Sequence, residues 1–172
     1  DYGLLRDGEL VDQPFCYRDP RTIEAQIEVH AAITPPELYL RNGLQSLPFN
    51  TVYQLVADRQ AGRLDRADVL LFTPDLMGFW LTGQVGSERT IASTSGLLDA
   101  SSGEWSASII RDLGLPLGLL PPLKSAGDEL GVLDSSAGAF TRRTPVRMVA
   151  SHDTASAVVA TPLKDAGSVY IS

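Results

Sequence analysis

The sequence predicts an α/β fold, and three observations carry that expectation. Short apolar runs, Val69-Leu70-Leu71-Phe72 and Pro145-Val146-Arg147-Met148-Val149-Ala150, have the length and branched composition of strands, the second of them a buried one. Stretches with apolar residues at helical spacing alternate with these runs along the chain, such as Phe49 with Tyr53 and Leu76 with Trp80. Proline and glycine punctuate these stretches in the order helices favour: Pro36, Pro48 and Pro74 near the starts, Gly43, Gly83 and Gly114 past the ends.

Composition bounds the function. With 172 residues, 44% of them hydrophobic and 20% charged, the chain can bury the core of one domain. A formal net charge of −7 without a basic stretch argues against nucleic acid or an anionic membrane surface as partner. No apolar run approaches a membrane span. Cys16 is the only cysteine, so no intrachain disulfide can form, which fits a reducing, cytoplasmic setting. One cysteine and two well-separated histidines do not suggest a Cys/His metal site. The chain opens on Asp1-Tyr2-Gly3 and closes on Val169-Tyr170-Ile171-Ser172, a strand-like pattern, so both ends are expected to cut through the ordered structure of a longer protein.

Along the chain, Tyr2–Leu5 and Leu10-Val11 flank Asp7-Gly8, the signature of a hairpin, and Phe15-Cys16-Tyr17 is expected to continue that sheet. A polar loop, Tyr17 to Thr22, leads into a helix over 22–33 with Ile23, Ile27 and Ala31 on one face and Glu24 and Glu28 on another. His30 on this helix reads as solvated or locally bonded. A short helix from Pro36 closes at Asn42-Gly43, and the next enters through Pro48 with Asn50 or Thr51 as cap. Gln45 or Asn50 could face a polar ligand, although a turn and a cap explain them equally well. The run 69–72 feeds a helix carrying Leu76, Met77, Trp80 and Leu81; Trp80 reads as core or as a platform for a sugar ring. Ser106 caps a helix with Ile109, Ile110 and Leu113 inward. Residues 115–144 read as loops and short strands, the clearest strand being 130–133, and a further strand opens at 168–171.

Between the run 145–150 and a helix from Thr154 to Ala160, expected to be closely packed, lies Ser151-His152-Asp153-Thr154. A carboxylate and an imidazole at the carboxyl end of a strand sit where open α/β sheets bind ligands, and could take a proton from a hydroxyl. Asp153 reads equally as the N-cap of that helix, and a helix N-terminus would make it a weaker base. Consecutive Ser, His and Asp are not a hydrolase triad, whose members converge from separated positions.

Residues 149–158, from Val149-Ala150-Ser151-His152-Asp153-Thr154 onward, resemble the catalytic segment of the rhamnulokinase branch of the FGGY carbohydrate kinase family. The stretches 17–22, 42–55, 74–83 and 88–99 resemble the same family. The resemblance implies a ribonuclease-H-like (actin-like ATPase) domain with a mixed sheet and surrounding helices. It implies that residues 1–161 are the later part of the sugar-binding domain and 162–172 the entrance to the next. It also implies a ketose as small-molecule substrate, L-rhamnulose before fuculose or xylulose, with ATP as phosphoryl donor and Mg²⁺ arriving on the nucleotide. Asp153 is then the base, with His152, Asp153 and Thr154 contacting the sugar. The glycine turns that hold ATP in this family have no counterpart within residues 1–172, so these residues alone are expected not to phosphorylate anything. A sugar-binding or assembly module without catalysis is the alternative.

Overall fold

A computed structural model of the chain describes residues 1–133, 143–165 and 167–171. Residues 134–142 of the expected loop region, and residues 166 and 172 of the expected domain entrance, lie outside the described residues. The fold is mixed α/β.

Its centre is a three-stranded antiparallel sheet, β1 (Tyr2–Arg6), β2 (Glu9–Leu10) and β3 (Val69–Phe72), ordered β2-β1-β3. Asp7 and Gly8 both take positive φ, 51° and 84°, which gives the turn the right-handed twist of its flanking strands. The pairing Tyr2↔Phe72 through Leu5↔Val69 fixes the register. Side chains alternate across the sheet, and both faces are covered. Tyr2, Leu4, Leu70 and Phe72 join the main core, while Leu5 and Leu71 join a smaller cluster with Leu76. That double burial is why these strands read as unbroken apolar runs rather than alternating ones.

The main core is built under α1 (Thr22–Ala32), α2 (Pro35–Asn42) and α3 (Thr51–Gln60). Every residue of α3 from Thr51 to Asp58 is buried. Helix α1 turns the opposite face inward from the one expected: Thr22, Ala25 and Val29 are buried, with Ile33 just beyond, whereas Ile23 and Ile27 are 60% and 70% exposed. Both sets have helical spacing, so periodicity could not choose between them. The chosen face is the smaller one, which lets α1 lie close against α3. His30 meets the hydroxyl of Tyr53 on α3 at 3.2 Å, a bond between helices rather than a local one.

Phe15-Cys16-Tyr17 does not extend the sheet, whose ladder on that side ends at Leu10; Pro14 has no N–H to continue it. Phe15 instead lies under the guanidinium groups of Arg21 and Arg63, 4.1 and 4.6 Å from its ring centre.

Helix α4 (Thr73–Thr82) follows β3 directly and covers the second face of the sheet. Trp80 on it is half-exposed and therefore not core. Then come β4 (Ser87–Glu88), α5 (Arg89–Ser93) and α6 (Ala107–Asp112), whose cap Ser106 accepts from the Ile109 N–H as expected. Strand β4 pairs in parallel with β5 (Leu123–Lys124). Strand β6 (Glu129–Val132) pairs antiparallel with β7 (Pro145–Arg147), across a bulge at 129–131.

The strand expected over 145–150 is thus shorter than its apolar run, and it is not buried. The turn at Ser125–Asp128 ends its partner, so the pairing stops near Met148 and Val149 is exposed. The last helix, α7 (Asp153–Ala160), has no buried residue, contrary to the close packing expected of its small side chains. Val169 and Ile171 are exposed and form no strand among the described residues, because no neighbouring strand lies beside them to pair with. No helix of the described residues is long and apolar enough to cross a membrane.

Candidate functional site

A cleft of about 530 Å³ opens beside the first turn of α7. Three helix starts converge on it: Asn50-Thr51 before and within α3, Thr73-Pro74 of α4, and His152-Asp153 at α7. Each brings the positive end of a helix dipole to one place, which favours oxygen-rich ligands. Tyr17 and Phe49 form an aromatic wall, edge to face at 5.6 Å.

His152, not Asp153, is the cap of α7. Its Nδ1 accepts from the Ala155 N–H at 3.4 Å. An accepting Nδ1 requires that the neutral ring carry its proton on Nε2, leaving an N–H donor at the cleft. Asp153 is the first residue of the helix, with its side chain 96% exposed at the cleft mouth. Its Oδ1 accepts from the Thr154 N–H at 2.7 Å and lies 3.6 Å from His152 Nε2, while Oδ2 accepts no hydrogen bond from the described residues. The capping duty that would have occupied the carboxylate is carried by its neighbour. Thr154 does not line the cleft; its hydroxyl turns toward Asp153 Oδ1 at 3.5 Å.

The sequence placed this segment at the carboxyl end of a strand in an open sheet, and that is corrected. Strand β7 belongs to a two-stranded antiparallel ribbon and ends at Arg147, several residues before the polar trio. What holds the trio is a buried carboxylate that sequence reasoning missed. Glu88 is 1% exposed. Its Oε2 accepts from the Ile91 N–H at 3.2 Å, capping α5, and from the Thr90 hydroxyl. The same oxygen accepts from the Ser151 N–H and hydroxyl at 3.2 and 3.1 Å. Thr90 Oγ1 in turn accepts from the His152 N–H at 3.1 Å. Burial pushes the Glu88 carboxyl up, but the bonds from Thr90, Ser151 and Ile91 outweigh it and hold it below its ordinary range.

Behind Glu88 lies Asp75, also buried, accepting from the Ser87 hydroxyl at 2.9 Å and the Glu88 N–H at 3.1 Å. Burial pushes the Asp75 carboxyl up to about 6, against those two bonds and with the Glu88 charge adding to the rise. Ser-Glu ahead of a short helix is legible as a cap. The partner at Ser151, far along the chain, is not.

Asn50 lines the cleft, but both ends of its amide are engaged, Oδ1 with the Leu47 N–H at 2.8 Å and Nδ2 with the Thr94 carbonyl at 3.2 Å. Gln45 and Trp80 are not among the lining residues. A larger cavity, about 790 Å³, runs along α1 and α3, and there Arg21 and Arg63 already pair with Asp58, and Arg63 with Asp12 as well.

Comparison with known proteins places this cleft in context. Residues 6–160 match the model of the FGGY family of carbohydrate kinases, N-terminal domain. A rhamnulokinase from Yersinia pestis (strain Pestoides F) is 38% identical over the whole chain, which covers 36% of that protein. A rhamnulokinase from Pectobacterium atrosepticum is 39% identical over the whole chain, which covers 35% of it. Among solved structures, a xylulose kinase from Rhodospirillum rubrum superimposes with a TM-score of 0.84 at 21% identity, over 95% of this chain and 35% of that one. A carbohydrate kinase from Novosphingobium aromaticivorans superimposes with a TM-score of 0.72 at 28% identity, over 92% and 34%. The chain thus spans 36% or less of the length of these relatives.

Proposed function

The chain belongs to the FGGY family of carbohydrate kinases, with their actin-like ATPase fold, and from that premise we propose that it holds the sugar and accepts its proton during ATP-dependent phosphorylation of a ketose. The observation that carries this reading is the Asp153 carboxylate: freed from capping by His152, it presents an unbonded Oδ2 at the mouth of a polar cleft.

In the proposed reaction the ketose lies in the cleft with one hydroxyl on Asp153 Oδ2. That hydroxyl's O–H bond breaks toward the carboxylate as its oxygen forms a bond to the γ-phosphorus of ATP, and ADP leaves with the bridging oxygen. The Nε2–H of His152 donates to a second sugar oxygen and keeps the acceptor hydroxyl aimed. Thr154 completes the trio by fixing the orientation of the Asp153 carboxylate. The proton passes to Asp153 as the phosphoryl group arrives. Mg²⁺ in this reading enters on the nucleotide's phosphates. Among the described residues no group of three or more His, Cys, Asp or Glu is arranged to hold a metal. The stretch after α7 would lead into the domain that holds the nucleotide.

L-rhamnulose is the proposed ketose, before fuculose and xylulose, because the rhamnulokinases are alike over the whole chain at 38–39% identity. The test is Asp153→Asn in a chain of full family length. It keeps size and hydrogen bonding but removes basicity, so turnover should fall by about 10²–10⁴ with sugar affinity nearly unchanged. Turnover near normal would remove Asp153 from the role.

A further inference from the structure

We infer that Glu88 is a positioning residue: its buried carboxylate sets the place of Ser151 and His152 and, through them, the aim of the Asp153 carboxylate. The inference rests on the assignment of Asp153 as base.

Segment 151–153 has few other means of being held. The ribbon before it stops near Met148, and α7 after it buries no residue. Its two backbone N–H groups ahead of Asp153 are nonetheless both fixed from one place. Ser151 N–H binds Glu88 Oε2, and His152 N–H binds Thr90 Oγ1, whose own hydroxyl is given to Glu88 Oε2. One carboxylate oxygen therefore gathers the Ser151 N–H, the Ser151 hydroxyl, the Thr90 hydroxyl and the Ile91 N–H. The carboxylate only accepts and its charge strengthens each bond, while its other oxygen, Oε1, is buried with no hydrogen-bond partner among the described residues.

Glu88 is itself fixed from behind, its N–H on Asp75 Oδ1. The chain of contacts runs from the first turn of α4 through Asp75 and Glu88 to Ser151 and His152, just ahead of α7. Two of the helix starts that border the cleft are thereby held at a set distance. Glu88 is absent from the cleft lining, so it acts on the chemistry only through the segment it holds.

The test uses a chain of full family length. Glu88→Ala should lower kcat for ketose phosphorylation about 10²-fold, the cost of misplacing a reacting group by about 1 Å. KM should rise by less than the roughly tenfold expected when the His152 donor itself is lost. Glu88→Gln keeps an acceptor oxygen and should recover most of the loss. If Glu88→Ala does not fold, Thr90→Val removes the anchor of the His152 N–H and one of the donors to Glu88 Oε2, and should lower kcat about tenfold.

In the Asp153→Asn background Glu88→Ala should add less than about a twofold loss, since a positioning residue has nothing left to aim. Unchanged kcat in Glu88→Ala and Thr90→Val, or losses that multiply with Asp153→Asn, would overturn the inference. Amide exchange separates its failure from that of the base assignment. Exchange at Ser151 and His152 should quicken about tenfold or more in Glu88→Ala, with α3 unaffected. If Asp153→Asn turns over normally, the base assignment falls, and exchange alone decides whether Glu88 holds the segment. Unaltered exchange would overturn the hold.

Discussion

The hydroxyl of Tyr2 in β1 donates to the carboxylate of Asp58 in α3, 56 positions further along the chain, and both groups are buried. The other oxygen of Asp58 receives Arg21, and Arg63 Nε lies 3.1 Å from it. Burial, then the Asp58 charge, drives the Tyr2 hydroxyl well above its ordinary pKa, so it stays a donor. Removing the carboxylate strands the Arg21 guanidinium and leaves Arg63 with Asp12 alone. Asp58→Ala should cost about 3–5 kcal/mol and Tyr2→Phe about 1–2 kcal/mol, read by urea denaturation with unchanged m-values.

Asp75 should oppose the usual trend of stability with pH. Its folded pKa, about 6, lies above the ordinary 3.8. Between about pH 4 and 6 the folded state therefore binds more protons than the unfolded one. The stability Asp75 contributes is present below pH 4 and lost as pH rises through 6. The loss is at most about 3 kcal/mol, from a shift of roughly two pKa units. Asp75→Asn should remove this slope. The difference in unfolding free energy, wild type minus variant, should fall between pH 4 and pH 7, and a flat difference would refute the assignment.

His152 carries two duties that substitution can part. His152→Asn keeps an acceptor near the Ala155 N–H but loses Nε2–H, so α7 should stay within about 0.5 kcal/mol of native while KM for the sugar rises about tenfold. His152→Ala should lose both, with helix stability down by about 1 kcal/mol. Amide exchange in α7 and sugar titrations on a full-length chain would report the two effects.

Substrate preference is the coarser check. Among L-rhamnulose, fuculose and xylulose, L-rhamnulose should give the highest kcat/KM, by about tenfold or more. A site that hydrogen-bonds each hydroxyl leaves polar groups unpaired with the wrong epimer. A preference for another ketose would revise the substrate and leave the family untouched.

Much of this was legible in local pattern. Asp7-Gly8, Pro74, Gly83 and Ser106 act as their residue types dictate, because turns and caps are decided within a few residues. Three expectations failed where a distant partner decides. Which face of α1 turns inward depends on α3, and whether Phe15–Tyr17 or 168–171 forms a strand depends on a neighbour to pair with. At the site, the segment 151–154 stood out through resemblance, yet its cap was assigned one residue too late. Histidine ranks low among caps, and Asp153 beside it ranks high. Glu88 was hidden because the groups it gathers come from two stretches far apart in sequence.

The pairing of β1 with β3 has a consequence for how the chain is made. Tyr2 meets Phe72 across a sheet, so the strand at the fold's centre waits until the ribosome has released its partner. Until then β1 has only the two-residue β2 on one side, and an open edge of Tyr2, Leu4 and Leu5 on the other. An apolar edge left open during synthesis is where a second nascent chain would add a strand. Slowing translation before residue 69 should therefore lower soluble yield more than slowing it after residue 72, when the loop through α1, α2 and α3 can close.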